Sequence, residues 1–418
     1  MDAARAETPV GARVGGPGGE PAADPVALRA ALPRQRSAQV APSVGAAGRA
    51  VRWLRTSGIQ GASGGYRSWF DRTSGQYPFE YAEVTGYQVT LAAWLAARGD
   101  TGSLADADRA VAWLAGAVQA EPGAFRCLEA GHAVGRFRAK ADRLYTFDAG
   151  IILQGLLAHH RATGSDPARR TAIATGRWLL RHVAADGTLD PWPATPAAGR
   201  WQDAPADWST RPGVHHAKVG IGLAALAELT GDDEARRAAV ALCEDALRHQ
   251  LPSGRFVTNP VAGSTNLHPH SYAAEALWAV GTATGRGDLL EASERATLWA
   301  LAAVDADGLP PRRWADGDHG AVVRHPRVDA VAQVLRLSAL HSLHTSAAAR
   351  RLTAALLAHQ VDDPAEPRAD GGFAFGASTA GEPLPHANVW VTAFAAQALL
   401  LAADDRRGAP GLDWRHLV

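Results

Sequence analysis

The feature of this chain that most constrains its fold is a repeated pair of helical segments along its 418 residues. Apolar segments rich in Ala and Leu begin with polar residues near positions 86, 148, 218, 272, 330 and 392. Successive starts are therefore 62, 70, 54, 58 and 62 residues apart, and charged, amphipathic segments alternate with the apolar ones. A repeat of this length with two helices per unit indicates stacked helical hairpins.

The repeat predicts six outer and six inner helices. The amphipathic outer helices are expected at 43–56, 103–119, 167–184, 234–250, 288–304 and 346–360. The apolar inner helices are expected at 84–97, 148–162, 217–229, 271–284, 330–343 and 391–402. Because the inner helices are apolar on most faces, we expect an outer ring to enclose them. We therefore predict an all-α, closed (α/α)6 toroid. The alternative is an open solenoid, which would need polar capping repeats.

A glycine-containing turn follows each predicted outer helix. These turns contain Gly64-Gly65, Gly123, Gly187, Gly254, Gly308 and Gly371-Gly372. We interpret the glycines as left-handed C-caps that end the outer helices. Because such a turn follows every predicted outer helix, the pattern favours six equivalent hairpins.

The predicted domain division is a disordered N-terminal tail at 1–40, the toroid at 41–405 and a short C-terminal tail at 406–418. The first 40 residues are rich in Ala, Pro, Gly and Arg and show no sustained period, which is typical of disorder. No long apolar run indicates a membrane span, and no apolar stretch near the start indicates a secretion signal. We therefore expect a cytoplasmic protein.

Charge and cysteine content exclude several function classes. The 42 Lys and Arg residues balance 42 Asp and Glu residues, which gives no support for nucleic-acid binding. The two cysteines, Cys127 and Cys243, suggest neither a disulfide framework nor a metal cluster. We expect no metal and no cofactor, and the sequence leaves the oligomeric state open.

Two carboxylates are the strongest candidates for catalysis. In a closed toroid the loops that enter the inner helices converge at one end, and Glu83 and Asp148 head adjacent inner helices. Paired carboxylates suit general acid/base work on a glycosidic bond or a sugar carbon. We predict Asp148 as the acid or base and Glu83 as its partner. For Asp148, stabilisation of a helix N-terminus is an equally simple explanation.

Histidines and aromatic residues occupy the same loops. His216 and His270 recur at equivalent hairpin positions and are further catalytic candidates, whereas His268 with His270 lacks a third ligand for zinc. Aromatic, hydrogen-bonding and charged side chains suit a sugar ligand. The predicted substrate-binding residues are Glu80, Tyr81, Tyr87, Trp201, Trp208, Lys218, His268, Tyr272, Arg312, Trp314, Asp329, His386, Asn388 and Trp390. Solvation of Glu80, and loop anchoring by Trp201, Trp208 and Trp314, are the alternatives.

Four segments resemble a known group of proteins. They are Tyr-Ala-Glu-Val-Thr-Gly-Tyr at 81–87, Phe-Asp-Ala-Gly at 147–150, His-Pro-His-Ser-Tyr at 268–272 and Asn-x-Trp-x-Thr-x-Phe-x-x-Gln-Ala-Leu at 388–399. With the six hairpins of about 43–403, they resemble the six-hairpin glycosidase superfamily, which includes unsaturated glucuronyl hydrolases and N-acylglucosamine 2-epimerase-like proteins. The closer resemblance is to bacterial toroid proteins of polysaccharide biosynthesis or processing. The resemblance implies carbohydrate chemistry, although a fold does not fix a reaction.

The leading hypothesis is a glycoside hydrolase-like enzyme that acts on a sugar or oligosaccharide by carboxylate acid/base catalysis. The resemblance to the hydrolases, which place two aspartates in the barrel, implies that Asp148 would pair here with Glu83. The resemblance to the epimerases implies an alternative, a sugar isomerase or 2-epimerase that uses His216 and His270. A terpenoid-cyclase-like toroid, which lacks its Asp-rich acid motif here, and a non-catalytic sugar-binding scaffold are the remaining alternatives.

Overall fold

The computed structural model describes residues 40–128, 140–196, 198–204, 208–315, 322–404 and 412–418. The predicted N-terminal tail lies outside the described residues except for Val40. Within these ranges twelve α-helices alternate between two concentric rings. The outer ring contains α1 (Val40–Thr56), α3 (Ser103–Gly116), α5 (Asp166–Leu180), α7 (Asp233–Leu247), α9 (Gly287–Ala302) and α11 (Ala347–Ala358). The inner ring contains α2 (Ala82–Ala97), α4 (Thr146–Thr163), α6 (Val219–Thr230), α8 (Leu267–Thr284), α10 (Val328–Leu340) and α12 (Val389–Asp404).

The two rings differ because their helices have different patterns of apolar residues. Helix α2 is buried on every face along most of its length, as the predicted inner helices require. Helix α5 buries only a stripe that includes Ala168, Ala172 and Trp178. It begins where Ser165 accepts a hydrogen bond from the backbone N–H of Ala168, with Pro167 in the first turn. The outer helices thus cover the apolar inner ring and present charges to solvent.

The ring is closed. Neighbouring inner helices pack in the order α2, α4, α6, α8, α10 and α12, and α12 packs again on α2. Strand β7 (His386–Asn388) pairs antiparallel with β1 (Trp69–Asp71) from the first hairpin, with Trp69 opposite Asn388. On its other edge β7 pairs with β6 (Phe373–Ala374). These contacts join the two ends of the repeat, so the predicted closed (α/α)6 toroid is confirmed and the open solenoid is excluded.

The six turn glycines have another role than the predicted one. The outer helices end several residues earlier, and α1, for example, ends at Thr56 whereas the glycine is Gly64. Gly64 has a φ of 108°, and a Cβ there would lie 2.3 Å from the carbonyl oxygen of Arg109 in the next outer helix. The equivalent Gly371 would meet Arg49 of α1 at 2.9 Å. The C-cap interpretation was therefore wrong: these glycines allow each hairpin to touch the next outer helix.

Short strands fix the loops that enter the inner helices. Strand β4 (Ser264–Asn266) leads directly into α8 and pairs antiparallel with β5 (Arg313–Ala315), with Thr265 opposite Trp314. A further pair, β2 (Gln119–Glu121) with β3 (Ala124–Phe125), follows α3. Residues 412–418 include a 3-10 turn at Trp414–His416 that contacts the inner helices, and Trp414, His416, Leu417 and Val418 are buried. In the described part of the chain, no helix combines the length and the apolar character that a membrane crossing requires.

Candidate active site

A cavity of about 200 Å³ lies at the end of the ring where the inner helices begin. All six hairpins contribute side chains to it. Its lining residues are Tyr81, Glu83, Lys140, Tyr145, Phe147, Asp148, Trp208, Ser209, His215, His268, Tyr272, Arg327, Asp329, Phe375 and Trp390. The predicted site residues among them are Tyr81, Glu83, Asp148, Trp208, His268, Tyr272, Asp329 and Trp390. The convergence of the loops before the inner helices is what brings these residues together.

Seven lining residues are not among the predicted site residues. They are Lys140, Tyr145, Phe147, Ser209, His215, Arg327 and Phe375. All but Phe375 lie in the loops or first turns of inner helices that the sequence already marked, so the same position argument could have found them. Phe375 follows the turn after α11 and carries no such signal. Its ring packs near the Arg327 guanidinium, 5.7 Å away, which brings it to the cavity wall.

Glu83 and Asp148 form the electrostatic centre of the cavity. Both are buried, and burial raises the pKa of each carboxyl above its usual value. The charge of Glu83 raises the pKa of Asp148 further. Trp390 and Tyr81 lie within hydrogen-bonding reach of Glu83 and offset part of its shift in pKa. Among the described residues, no hydrogen-bond partner meets Oδ2 of Asp148. The pair therefore favours a state in which Asp148 keeps its proton.

Aromatic and imidazole rings form one wall. The Trp208 ring stands edge-on to His215 and His268, with centroids 5.2 and 5.9 Å away. Tyr272 packs against His268 at 4.3 Å and against Phe147 at 5.1 Å. Burial lowers the pKa of His268 to about 4, and it lowers the pKa of His215 well below its usual value. Both imidazoles are therefore neutral at pH 7, and burial lowers their affinity for a proton.

Two cations lie beside the carboxylates. Arg327 Nε donates to Asp329 Oδ1 at 2.9 Å. Burial raises the pKa of Asp329, but Arg327 and His268 outweigh it, and the pKa falls to about 2. The positive charge of Lys140 lowers the pKa of both Glu83 and Asp148 in part. Asp329 is thus held ionised at neutral pH whereas Asp148 is not.

The two predicted catalytic histidines lie outside the cavity lining. His270 Nδ1 accepts from the backbone N–H of Phe256, and its Nε2 bonds the carbonyl oxygen of Ala296, both at 3.2 Å. Both ring nitrogens are therefore hydrogen-bonded to backbone groups. This arrangement gives no support to the predicted catalytic role of His270. His216 packs beside His215 with ring centroids 4.0 Å apart. The cavity is lined instead by the neighbouring histidines, His215 and His268.

Four predicted binding residues outside the cavity hold the loops around it. Trp201 Nε1 donates to Asp190 Oδ1 at 3.0 Å. Arg312 Nη1 donates to the carbonyl oxygen of Ala377 at 2.6 Å. Asn388 Oδ1 accepts from the N–H of Val391 at 3.2 Å. Glu80 accepts a hydrogen bond from the Ser63 hydroxyl.

The remaining predicted residues pack against rings or lie deeper in the barrel. Trp314 lies edge-on to Trp299 at 6.1 Å. His386 stacks on Trp69 at 4.5 Å. Tyr87 stands edge-on to Phe394, with ring centroids 5.2 Å apart. Lys218 lies beneath the cavity, fully buried. Over the described ranges, no group of three or more His, Cys, Asp or Glu side chains is arranged to hold a metal ion.

Comparison with known proteins identifies the fold. No family model matches the sequence, and no curated protein matches it. The cellobiose 2-epimerase from Spirochaeta thermophila DSM 6192 aligns over 89% of this chain and 99% of its own, with a TM-score of 0.66 and 17% identity. The unsaturated glucuronyl hydrolase from Bacillus sp. GL1 aligns over 86% and 96%, with a TM-score of 0.61 and 18% identity.

A D-mannose isomerase also aligns, over 88% of this chain and 99% of its own, with a TM-score of 0.66 and 12% identity. All three alignments cover at least 86% of this chain and at least 96% of the other chain. At these identities the likeness concerns the fold. It confirms the predicted six-hairpin toroid, and it leaves the reaction to be argued from the cavity.

Proposed function

We propose that the protein is a carbohydrate-active enzyme of the glycoside hydrolase type, with Asp148 as the proton donor and Glu83 as its carboxylate partner. The observation that carries this proposal is the pair of buried carboxyls with raised pKa values that face one cavity. A carboxyl that stays protonated near neutral pH can give its proton to a leaving oxygen. The partner carboxylate can then activate water or attack the sugar carbon.

The cavity also suits a sugar in shape and polarity. Aromatic rings such as Trp208 and Tyr272 offer flat apolar faces, and Asp329, Arg327 and Lys140 offer hydrogen bonds to hydroxyl or carboxylate groups. Its volume of about 200 Å³ is below the roughly 300–1,000 Å³ of drug-sized sites, which favours one sugar unit or the end of a chain. Proteins of similar fold are named as a cellobiose 2-epimerase, an unsaturated glucuronyl hydrolase and a D-mannose isomerase, and these names support a sugar as the ligand.

The test begins with thermal-shift measurements against neutral, amino and uronic monosaccharides and short oligosaccharides, followed by hydrolysis assays on those that bind. Ligand binding to the folded state raises its melting temperature. Glu83→Gln and Asp148→Asn should each reduce turnover by about 10²–10⁴, the usual contribution of acid/base catalysis. Glu80→Gln is the matched control, because Glu80 lies three residues from Glu83 but outside the cavity. Turnover that survives both pocket variants would contradict the proposal.

A second candidate function is a sugar isomerase or 2-epimerase. It is favoured by His215 and His268, which line the cavity as neutral imidazoles. Two bases that face one sugar could remove and return a proton at a carbon beside the carbonyl. Incubation of binding sugars in D2O tests this function, since the exchanged carbon would take up deuterium. Deuterium uptake that is lost in His268→Asn but kept in the matched control His270→Asn would favour this second function over hydrolysis.

A further inference from the structure

Residues 412–418 run along the axis of the inner ring. Arg415 Nε donates to Glu228 Oε2 at 2.6 Å, and Glu228 lies near the C-terminal end of α6. Three residues later, the main-chain oxygen of Val418 accepts from Nζ of Lys218 at 3.1 Å, and Lys218 immediately precedes α6. The segment therefore runs antiparallel to α6, from the far end of the ring towards the cavity. Leu417 and Val418 are fully buried.

Two inner helices hold the backbone of this segment. Gln154 of α4 donates to the carbonyl oxygen of Leu417 at 2.7 Å. Gln397 of α12 donates to the carbonyl oxygen of His416 at 2.7 Å and accepts from the N–H of Val418 at 3.1 Å. Buried backbone groups need such partners, because leaving them unpaired costs free energy. The two glutamines lie deep inside the barrel, and both donate their amide hydrogens to the segment.

A chain of buried polar groups connects the segment with the cavity. We call Lys218, Glu275, Gln333, Arg336 and Gln397 the axial network. Lys218 Nζ donates to Glu275 Oε2 at 2.8 Å, and Arg336 Nε donates to Glu275 Oε1 at 3.1 Å. Arg336 Nη1 also donates to Gln397 Oε1 at 3.2 Å.

The upper end of the axial network contacts the cavity wall. Gln333 Nε2 donates to Glu275 Oε2 at 3.5 Å, and Gln333 Oε1 lies 2.7 Å from Nδ1 of His268. Lys218 Nζ lies 5.6 Å from the ring centre of Tyr272. His268 and Tyr272 both line the cavity, so the axial network touches its floor at two points.

The hydrogen bonds that link Glu275, Gln333 and His268 all run in one direction. Glu275 accepts hydrogen bonds, so the amide nitrogen of Gln333 must face it and the amide oxygen must face His268. Nδ1 of His268 then carries the proton, and Asp329 Oδ2, 3.5 Å from Nδ1, favours the same arrangement. In the neutral imidazole Nε2 is therefore the acceptor. Lys218 and Arg336, which fix Glu275, are themselves oriented by Val418 and Gln397.

We propose that residues 412–418 are a positioning element for the cavity: by filling the axis of the ring, they hold the axial network in the arrangement that fixes the tautomer of His268 and the place of Tyr272. This role goes beyond the proposed function. It applies whether His268 transfers a proton or only binds a ligand. Residues 412–418 thus act on the cavity through Lys218, Glu275 and Gln333 rather than by contact.

The experiment uses the full chain and two variants that loosen the segment without altering the axial network. Leu417→Asp introduces a charge at a buried position. Gln154→Leu removes hydrogen bonds to the carbonyl oxygens of Arg415 and Leu417. Arg415→Ala is the control in the same segment, because its side chain makes exposed ion pairs with Glu228 and Asp413.

Two measurements are made on each variant. Hydrogen exchange reports whether the amides of 412–418 are released, and we expect exchange about tenfold faster in Gln154→Leu, in line with two lost hydrogen bonds. The imidazole nitrogen signals of His268 report its tautomer, and we expect a shift from one tautomer to a mixture. Neither measurement needs a sugar, so the result is independent of the proposed function.

The outcomes separate a positioning role from a purely structural one. Released amides together with a mixed His268 tautomer in Gln154→Leu, and neither change in Arg415→Ala, would support the proposal. If Leu417→Asp does not fold, Gln154→Leu decides alone. Released amides with an unchanged His268 signal would overturn the proposal, and so would amides that stay protected in every folded variant.

Discussion

The barrel contains buried carboxylates in two settings that differ in their counter-charges. Glu83 and Asp148 at the cavity have raised pKa values, because burial is the largest influence and nearby cations offset it only in part. Glu275, deeper on the axis, is equally buried. Burial raises its pKa too, but Arg336 and Lys218 together outweigh this, and the pKa falls below its usual value. Burial alone therefore does not determine the charge of an acid in this protein.

The difference separates a carboxylate that is held ionised from a pair whose protonation can change. Two cations contact the axial carboxylate of Glu275 and hold it ionised, so it carries no proton to donate. The cavity carboxylates have room for a ligand on one side and share a charge between them, so protonation there is open to change. Three substitutions test this comparison, from the largest expected effect to the smallest.

Glu275→Gln should have the largest effect on stability. It leaves Lys218 and Arg336 buried without their common counter-charge, and breaking a buried pair in this way costs about 3–5 kcal/mol. We expect the free energy of unfolding, measured by urea titration, to fall by about that amount. Glu83→Gln is the matched control: burial opposes the ionisation of Glu83, so the same substitution there should not lower the free energy of unfolding and should raise it at neutral pH. Equal losses in both variants would remove the distinction between the two settings.

Asp148→Asn should have a smaller, pH-dependent effect. The pKa of Asp148 is raised in the folded protein, so its stabilising contribution is complete below the unfolded pKa of about 4 and is lost as pH rises through the folded value. Asn cannot ionise. The melting temperature of the variant should therefore equal that of the wild type near pH 4 and exceed it by a few degrees at pH 8. Calorimetry across this range gives the measurement, and a gain that does not depend on pH would point to hydrogen bonding rather than charge.

Glu228→Gln should have the smallest effect. Glu228 forms ion pairs with Arg161 and Arg415, but its side chain is 41% exposed. Such pairs contribute about 1 kcal/mol or less, and salt screens them. We expect a slight loss of unfolding free energy at low salt that disappears at high salt. A loss as large as that of Glu275→Gln would contradict the ranking of the buried ion pairs above the exposed ones.

The fold was predictable because its signals are local and repeated. The apolar segments, the amphipathic segments and the turn glycines recur with one spacing, and each inner helix begins within a few residues of its predicted start. The role of Gly64 and its equivalents was not predictable. Glycine after a helix suggests a C-cap, whereas the close approach of Gly64 to Arg109 exists only between two hairpins.

The cavity was predictable by region but less so by residue. Glu83 and Asp148, which line the cavity, were chosen because they stand at equivalent starts of neighbouring helices. His270 was chosen over His268 as a catalytic candidate, although the two lie on one helix about 200° apart and face different neighbours. His216 was chosen over His215 in a 3-10 turn whose orientation no periodic pattern predicts. Position along the chain identified the loops that line the cavity. Which residue of each loop faces the cavity depends on the direction of its side chain, which position alone does not give.

The sequence by itself determined the number of hairpins, the separation into inner and outer helices and the end of the ring that carries polar residues. These follow from apolar periodicity and helix signals, which act over a few residues. Only the tertiary structure decided which acids have counter-charges. Glu275 has Lys218 from one helix start and Arg336 from another helix, 57 and 61 residues away. Electrostatic partners are set by distance in space, so no local pattern could distinguish Glu275 from Glu83.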